Sequence, residues 1–471
     1  MTDDNRFEHD FLGVIAVPRY AYYGSHTARA MENFQITGTA ISTFPTLIVS
    51  LALVKQAAAE SNCALGLLKS DVAEAIVSAC ERIRSGEFHD QFVVDAIQGG
   101  AGTSTNMNAN EVIANLALES LGLPRGEYST VHPLDHVNLG QSTNDVYPTA
   151  IKLALDDSMS ILRAAITSLR EGFAEKAVEF AEIVKIGRTQ LQDAVPMTLG
   201  QEFAAIAVTL AEDEERLDEA RLLLHELNLG GTAIGTALNA HPEYRRVVLE
   251  GLRRLTGTST LVSAKDLIEA TQDVGVFVQL SGVLKRIAVK LSKICNDLRL
   301  LSSGPQAGFG EINLPPRQAG SSIMPGKVNP VIPEVVNQVA YEVVGNDVTI
   351  TMAAEGGQLQ LNAFEPIIAK SLFESASHLT AGCIALDRHC VRGITANKDH
   401  LEKIVAASVG LVTALNPAIG YASAASIAKE ALAQGRGIAE LVAERNLLPP
   451  EVLARLLSPR HLTGRPLGST A

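Results

Sequence analysis

The chain has 471 residues, 46% of them hydrophobic and 19% charged, with a formal net charge of −13. That charge excludes a nucleic-acid partner, because phosphate backbones are bound through basic patches. It also leaves an anionic substrate to be attracted by local groups rather than by the field of the whole molecule. Charged residues fall below the roughly 25% of average domains, so more apolar surface is available than one subunit needs, and burial between subunits is expected.

The start, MTDDNRFEHD, is polar and acidic and lacks the basic and apolar regions of a secretory signal. No apolar run reaches the ~18–20 residues that span a bilayer. A cytoplasmic protein without a membrane partner is expected. Cys63, Cys80, Cys295, Cys383 and Cys390 are scattered, with no CxxC pair, and read as free thiols of a reducing compartment.

Residues 1–142 read as an N-terminal domain of loops and shorter helices, punctuated by Gly24, Pro45, Gly66, Gly99, Gly100 and Gly102. Within it, Gly99–Asn108 (GGAGTSTNMN) combines glycines that let backbone approach a ligand with hydroxyl and amide donors. A Gly-rich turn leading into a helix cap is the plainer reading. A dinucleotide cradle needs a βαβ unit that the pattern does not show. His132 and His136 are four apart, a ligand spacing that belongs on a helix, and Pro133 argues against a helix there; no metal site is expected. Ser142, Thr143 and Asn144 set three neutral polar groups before the first long helix. There they either cap it or receive a carboxylate, which helix N-termini favour.

Residues 143–395 read as a central bundle of long helices. Helices are predicted over 153–183, 198–229, 265–303, 330–352 and 366–389. The third carries the stripe Val276, Leu280, Leu284, Ile287, Leu291, Ile294, Leu298 and Leu301 at spacings of three and four. Ser263 and Asp266 sit at capping-box spacing near its start. Such a helix would reach on the order of 55–60 Å, too long for one compact domain, so the bundle is expected to continue into other subunits. The run Glu212–Arg216 reads as a solvated face, and Gly230–Gly235 as a kink within the bundle. Gly187–Pro196 (GRTQLQDAVP) places Arg188, Thr189, Gln190 and Gln192 near a helix start, with Arg188 either at a site or paired with a neighbouring acid. Residues 396–471 read as a small helical C-terminal domain. Strand signals are sparse, so the fold class is all-α.

The densest chemistry lies in Gly320–Pro330 (GSSIMPGKVNP), preceded by a Gly- and Pro-rich stretch, 304–320, that reads as a lid hinge. Ser321 and Ser322 carry hydroxyls able to transfer protons once their pKa is lowered. Lys327 can pair with a carboxylate, and Asn329 can donate to developing negative charge. Across the four segments neutral donors recur, carboxylates are few and no cysteine nucleophile is present. That profile suits binding a dicarboxylate and stabilising a carbanion as its aci-carboxylate.

GSSIMPGKVNP resembles the signature loop of the fumarase/aspartase superfamily. QSTND at Gln141–Asp145, GRTQLQDA at Gly187–Ala194 and NPVIPEVVNQV at Asn329–Val339 look like its aspartate ammonia-lyase branch. The fumarase branch tends to have QSSND and GRTHLQDA. The resemblance runs from about residue 6 to 465. It implies a three-domain all-α fold in a homotetramer, with a shared central helical bundle and each active site built from three subunits. It further implies that Ser321 is the general base. Lys327 and Asn329 hold the carboxylate that becomes the enediolate, and Thr103, Ser142 and Thr143 hold the other. Asn144 receives the α-amino group, and Thr189, Gln190 and Ser322 line the pocket. The implied reaction is reversible deamination of L-aspartate to fumarate and ammonia, with no cofactor and a divalent metal at most an activator. The alternatives are a fumarate hydratase, a lyase of an N-substituted aspartate, and, from another class, a non-catalytic structural homologue.

A serine base is chemically awkward, because a free hydroxyl is a very weak base near neutrality. It needs backbone donors and nearby positive charge. Two departures from the family pattern stand out. Gln190 replaces a histidine, so no histidine relays a proton there, and Ala237 replaces a glycine.

Overall fold

A computed structural model of the chain describes residues 4–464. In chain order it contains the strands β1 (Asn5–Asp10) and β2 (Gly13–Pro18), then the helices α1 (Ser25–Asn33), α2 (Pro45–Ala64), α3 (Ser70–Arg84), α4 (Thr103–Ser120) and α5 (Thr143–Glu179). A hairpin of β3 (Val184–Thr189) and β4 (Gln192–Thr198) leads into α6 (Leu199–Leu223). β5 (Glu226–Leu227), α7 (Tyr244–Thr256), β6 (Val262–Ser263), α8 (Leu267–Gln272), α9 (Gly275–Leu301) and β7 (Ile312–Asn313) follow. α10 (Val331–Glu355), α11 (Glu365–His389) and β8 (Thr395–Ala396) precede the short C-terminal helices, of which α12 (Lys398–Ala407) is the first. Among the described residues the strands form only four two-stranded sheets, so the architecture is all-α with minor β additions. No single helix among them is long and apolar enough to cross a membrane.

Two compact units make up the chain. One comprises 4–163, 215–287 and 341–378; the other comprises 164–214, 288–340 and 379–464. Every division between them falls inside one of the five long helices α5, α6, α9, α10 and α11. In the first unit α2 is apolar on all sides and packs on α3 and α7, with Leu47, Ile48, Leu51, Val54 and Ala57 wholly or almost wholly buried. Pro45 opens it at a position where a missing N–H costs nothing. In the second unit a separate apolar cluster of Leu411, Leu415, Ile427, Ile438, Leu441 and Val442 holds the C-terminal helices together.

The long helices form where apolar spacing predicts them, with four corrections. The first long helix begins at Thr143, ten residues before the predicted start, because Ser142 and Asp145 cap it. The helix expected over 265–303 is two helices. Asp266 caps α8 through Ile268 N (2.8 Å) and Glu269 N (3.1 Å), while Ser263 lies in β6 and accepts from Arg245. Asp273 then leaves the helical conformation and accepts Gly275 N at 3.1 Å, which restarts the chain as α9. Along α9 the predicted stripe is buried from Leu280 to Leu301, with Phe277 in place of the half-exposed Val276.

The third correction concerns Glu212–Arg216. Asp213 is fully buried 3.0 Å from Lys290, and Glu214 is buried 2.7 Å from Arg170, so only Glu212, Glu215 and Arg216 face outward. The fourth concerns Gly230–Gly235. α6 ends at Leu223, and the glycines lie in the loop after β5 rather than kinking a helix. The five cysteines are free thiols, and burial pushes those of Cys383 and Cys390 up to about 12.

Candidate active site

In the first unit the site is built on the N-termini of α4 and α5. Gly102, at φ 87°, is the N-cap of α4, and a Cβ there would lie 2.2 Å from the Tyr147 ring of α5. Only glycine admits both the left-handed backbone and the contact, so the two helix starts lie against each other. Thr103 opens α4 and donates to Gly100 O at 2.7 Å. Asn106 reaches from α4 to Thr143 Oγ1 at 3.1 Å.

At the start of α5, Ser142 Oγ accepts Asn144 N at 3.2 Å while Ser142 N donates to Asp145 Oδ1 at 3.0 Å, so hydroxyl and carboxylate together cap the helix start. The other Asp145 oxygen accepts Gly230 N (3.1 Å) and Thr232 N (2.9 Å), which draws the glycine loop over the helix end. Asn144 Nδ2 donates to Ala233 O at 2.7 Å. That bond orients the carboxamide so that its oxygen is the end left to accept an ammonium group. The structure therefore gathers Thr103, Ser142, Thr143 and Asn144. Ser142 caps the helix, as its plainer reading held, and the helix start remains a donor-rich end suited to an anion.

Two buried groups beneath this cluster went unread in the sequence. Asp145 is wholly buried, and desolvation raises its carboxyl to about 6 despite three backbone donors. Lys55 of α2, also wholly buried, donates to Asn138 Oδ1 (2.8 Å) and Gln141 Oε1 (2.9 Å), and burial lowers its ammonium to about 7. Asp145 could have been found, since Ser142-x-x-Asp145 is a capping-box spacing before an apolar run. Lys55 could not, because it sits in an apolar helix 83 residues before its partner Asn138. A cavity of about 810 Å³ opens beside Thr103, lined also by His26, Arg29, Glu111 and His132.

Pro133–Val137 is a π-helical turn opened by the proline, with His132 as its extended N-cap and His136 inside it. His132 Nδ1 accepts Leu134 N and Asp135 N, and His136 Nδ1 accepts His132 N, so both rings serve the turn.

In the second unit the loop 320–330 is closed by its own backbone. Gly320 N donates to Lys327 O (2.8 Å), and Asn329 Nδ2 donates to Gly320 O (2.8 Å). A Cβ on Gly320 would meet Lys327 O at 2.7 Å, so this closure requires glycine. Ser321 Oγ accepts two backbone N–H groups, from Met324 at 2.9 Å and Ile323 at 3.2 Å. Such donors stabilise an oxyanion over a hydroxyl and so lower the pKa. Ser322 and Lys327 are exposed, and Lys327 makes no ion pair among the described residues. Asn329 gives one amide hydrogen to the loop, which leaves the second free to donate.

Thr189 and Gln190 are not near a helix start. They form one side of the β3–β4 hairpin turn, where Thr189 pairs with Gln192 and the two central residues, Gln190 and Leu191, have φ of 52° and 62°. Two non-glycine residues in the left-handed region are unfavourable. Arg188 takes its plainer reading, paired with the buried Glu311.

The helix starts of the first unit and the loop of the second are each rich in donors suited to an anion. A family model for lyases matches residues 13–345, and one for the fumarase C C-terminus matches 411–464. The chain belongs to this lyase family, the fumarase/aspartase superfamily. It is 59% identical over 459 residues to an aspartate ammonia-lyase of Pseudomonas aeruginosa, covering 97% of each chain. It is 56% identical over 457 residues to an aspartate ammonia-lyase of Helicobacter pylori, again covering 97% of each. A crystal structure of a fumarate lyase:delta crystallin from Brucella melitensis bound to cobalt superposes with a TM-score of 0.94 at 55% identity, covering 97% of this chain and 98% of that one.

Proposed function

We propose that this protein is an aspartate ammonia-lyase, converting L-aspartate reversibly to fumarate and ammonia. The observation that carries the mechanism is the Ser321 hydroxyl held by two backbone N–H donors on an exposed loop that also presents Lys327. In this reading Ser321 acts as an oxyanion and takes the Cβ proton. The electron pair moves into the adjacent carboxylate, giving an aci-carboxylate dianion that Lys327 and Asn329 stabilise. The Cα–N bond then breaks with its electrons on nitrogen, the carbon–carbon double bond forms, and ammonia leaves. The substrate amine is already protonated near neutrality, so the leaving group needs no enzyme acid, and none is assigned.

Thr103, Ser142 and Thr143 hold the second carboxylate, Asn144 accepts from the ammonium through its amide oxygen, and Thr189, Gln190 and Ser322 line the pocket. The free N–H groups at the starts of α4 and α5 favour an anion locally in a chain of net charge −13. The enzyme works as a cytoplasmic homotetramer without cofactor, organised as three domains (1–142, 143–395 and 396–471), with each site shared among subunits. Exposed apolar residues along the long helices (Val208, Val289, Tyr341, Val348 and Met352, each more than half exposed) support that assembly.

The test is ultraviolet absorbance of fumarate released from L-aspartate, with L-malate and an N-substituted aspartate in parallel. Signal from aspartate alone bears the reading out. Signal from malate alone makes the protein a hydratase, and signal from the substituted aspartate alone moves the specificity.

A further inference from the structure

The second unit contains a charge cluster that the reaction does not use. Glu311, 1% exposed, immediately precedes β7, the strand that leads into the signature loop. Its carboxylate lies 2.7 Å from Lys185 Nζ, 2% exposed, and is hydrogen-bonded to Arg188. Both cations stand on β3, the strand whose last residue is Thr189. Lys185 also contacts Glu202 at 2.6 Å, so two cations meet two carboxylates in a balanced group.

The backbone of Glu311 is fixed as well: its N–H donates to Leu301 O and its carbonyl accepts Asn397 N, both at 2.9 Å. The neighbouring Phe309 lies under the Arg188 guanidinium, 4.3 Å from ring centroid to Cζ. Beyond this anchor the loop is largely exposed, with Ile323 at 82% and Val328 at 50%.

We infer that Glu311 is a positioning residue that holds the Thr189–Gln190 hairpin and the root of the Ser321 loop in one fixed relation. The assignment of those segments to the substrate rests on the function proposed above; the mechanical coupling does not. One carboxylate ties both segments, through an ion pair to Lys185 and a hydrogen bond to Arg188, and the break in the regular register of β3 between Ile186 and Arg188 lets these two residues, three apart, reach the same acid. A buried charge of this kind is costly to keep. A displacement of about 1 Å at a catalytic constellation lowers rates by about 10²-fold, which gives a fixed anchor its value.

The experiment compares wild type, Glu311→Gln and Glu311→Asp as full-length protein. Hydrogen exchange is followed over 184–198 and 314–329, and kcat and KM are measured with L-aspartate. Glu311→Gln is expected to speed exchange in both segments together and to lower kcat at least about tenfold with little change in KM. Glu311→Asp, which keeps the charge, restores most of the protection. Unchanged exchange, or a rise in one segment only, overturns the inference. So does a loss of kcat that merely tracks the unfolded fraction. If Glu311→Gln does not fold, Arg188→Gln leaves Lys185 and Glu311 paired and carries the same readouts, with the same expected and overturning results. A wild type inactive on aspartate would defeat the proposed function while the exchange measurement still decides the role of Glu311.

Discussion

Ser142 and Asp145 bind each other at the start of α5: the Ser142 N–H donates to the Asp145 carboxylate at 3.0 Å, and the Asp145 N–H donates to Ser142 O at 3.3 Å. The same carboxylate holds Gly230 and Thr232, so one buried side chain sets both the helix start and the loop over it. Asp145→Ala leaves three N–H groups without their acceptor. At about 1–3 kcal/mol for each buried donor left unsatisfied, and with water recovering part of the loss, a destabilisation of about 3–5 kcal/mol is expected. Urea denaturation monitored by circular dichroism measures it. A loss below about 1 kcal/mol would show that the carboxylate is dispensable.

Gly102 gives a second prediction, on activity. A methyl group there would sit 2.2 Å from Tyr147 and require a left-handed alanine, so the starts of α4 and α5 must separate. Gly102→Ala is expected to lower kcat/KM for L-aspartate at least about tenfold, because misplaced binding groups lose transition-state contacts. Gly326, also left-handed at φ 81° but with open space around its Cβ, is the comparison. Gly326→Ala carries only backbone strain of about 1–2 kcal/mol. Equal losses from the two would remove the packing argument.

Stability should depend on pH through Glu111. This buried carboxylate accepts Gly24, His26 and Thr27 N–H groups and the Thr27 hydroxyl. Desolvation, opposed by those bonds, raises it from 4.5 to about 7. The folded state thus binds the proton more tightly than the unfolded chain. Its contribution is full below pH 4.5 and is lost as pH rises to about 7, a change of about 3 kcal/mol. Asp145, raised to about 6, acts in the same direction. Lys55, lowered from 10.5 to about 7, acts oppositely: its penalty is relieved as pH rises from about 7 toward 10.5. Between pH 5 and 7 the thermal midpoint of wild type should fall with rising pH more steeply than that of Glu111→Gln, so that the two curves draw together toward pH 5. Parallel curves would show that Glu111 does not titrate in this range.

Much of the fold could be read from the sequence because long helices advertise themselves. The stripe from Leu280 to Leu301 is buried as its spacing predicts. What local pattern could not supply was the partner of each polar group. Asp213 and Glu214 read as solvated until Lys290 and Arg170, on other helices, are set beside them. The β3–β4 hairpin was hidden because its turn is Gln190-Leu191, where two-residue hairpins usually carry Asn or Gly. The break before α9 turns on Asp273, which reads equally well as a helical polar residue. Ala237, noted as standing where the family has glycine, has φ 57°, so the usual glycine has a backbone reason. In the site, donor-rich segments were legible as residue types. The two N–H groups on Ser321 were not, since they depend on how Gly320 and Lys327 close the loop.

The central claim is that Ser321 takes the Cβ proton, and the most direct test is kcat of Ser321→Ala for fumarate release from L-aspartate, with oligomeric state and helix content followed in parallel. Removing a general base of this kind is expected to lower kcat by about 10³-fold or more, with assembly and fold unchanged. A folded variant that keeps near-wild-type kcat would contradict the account, and the base would have to be sought elsewhere.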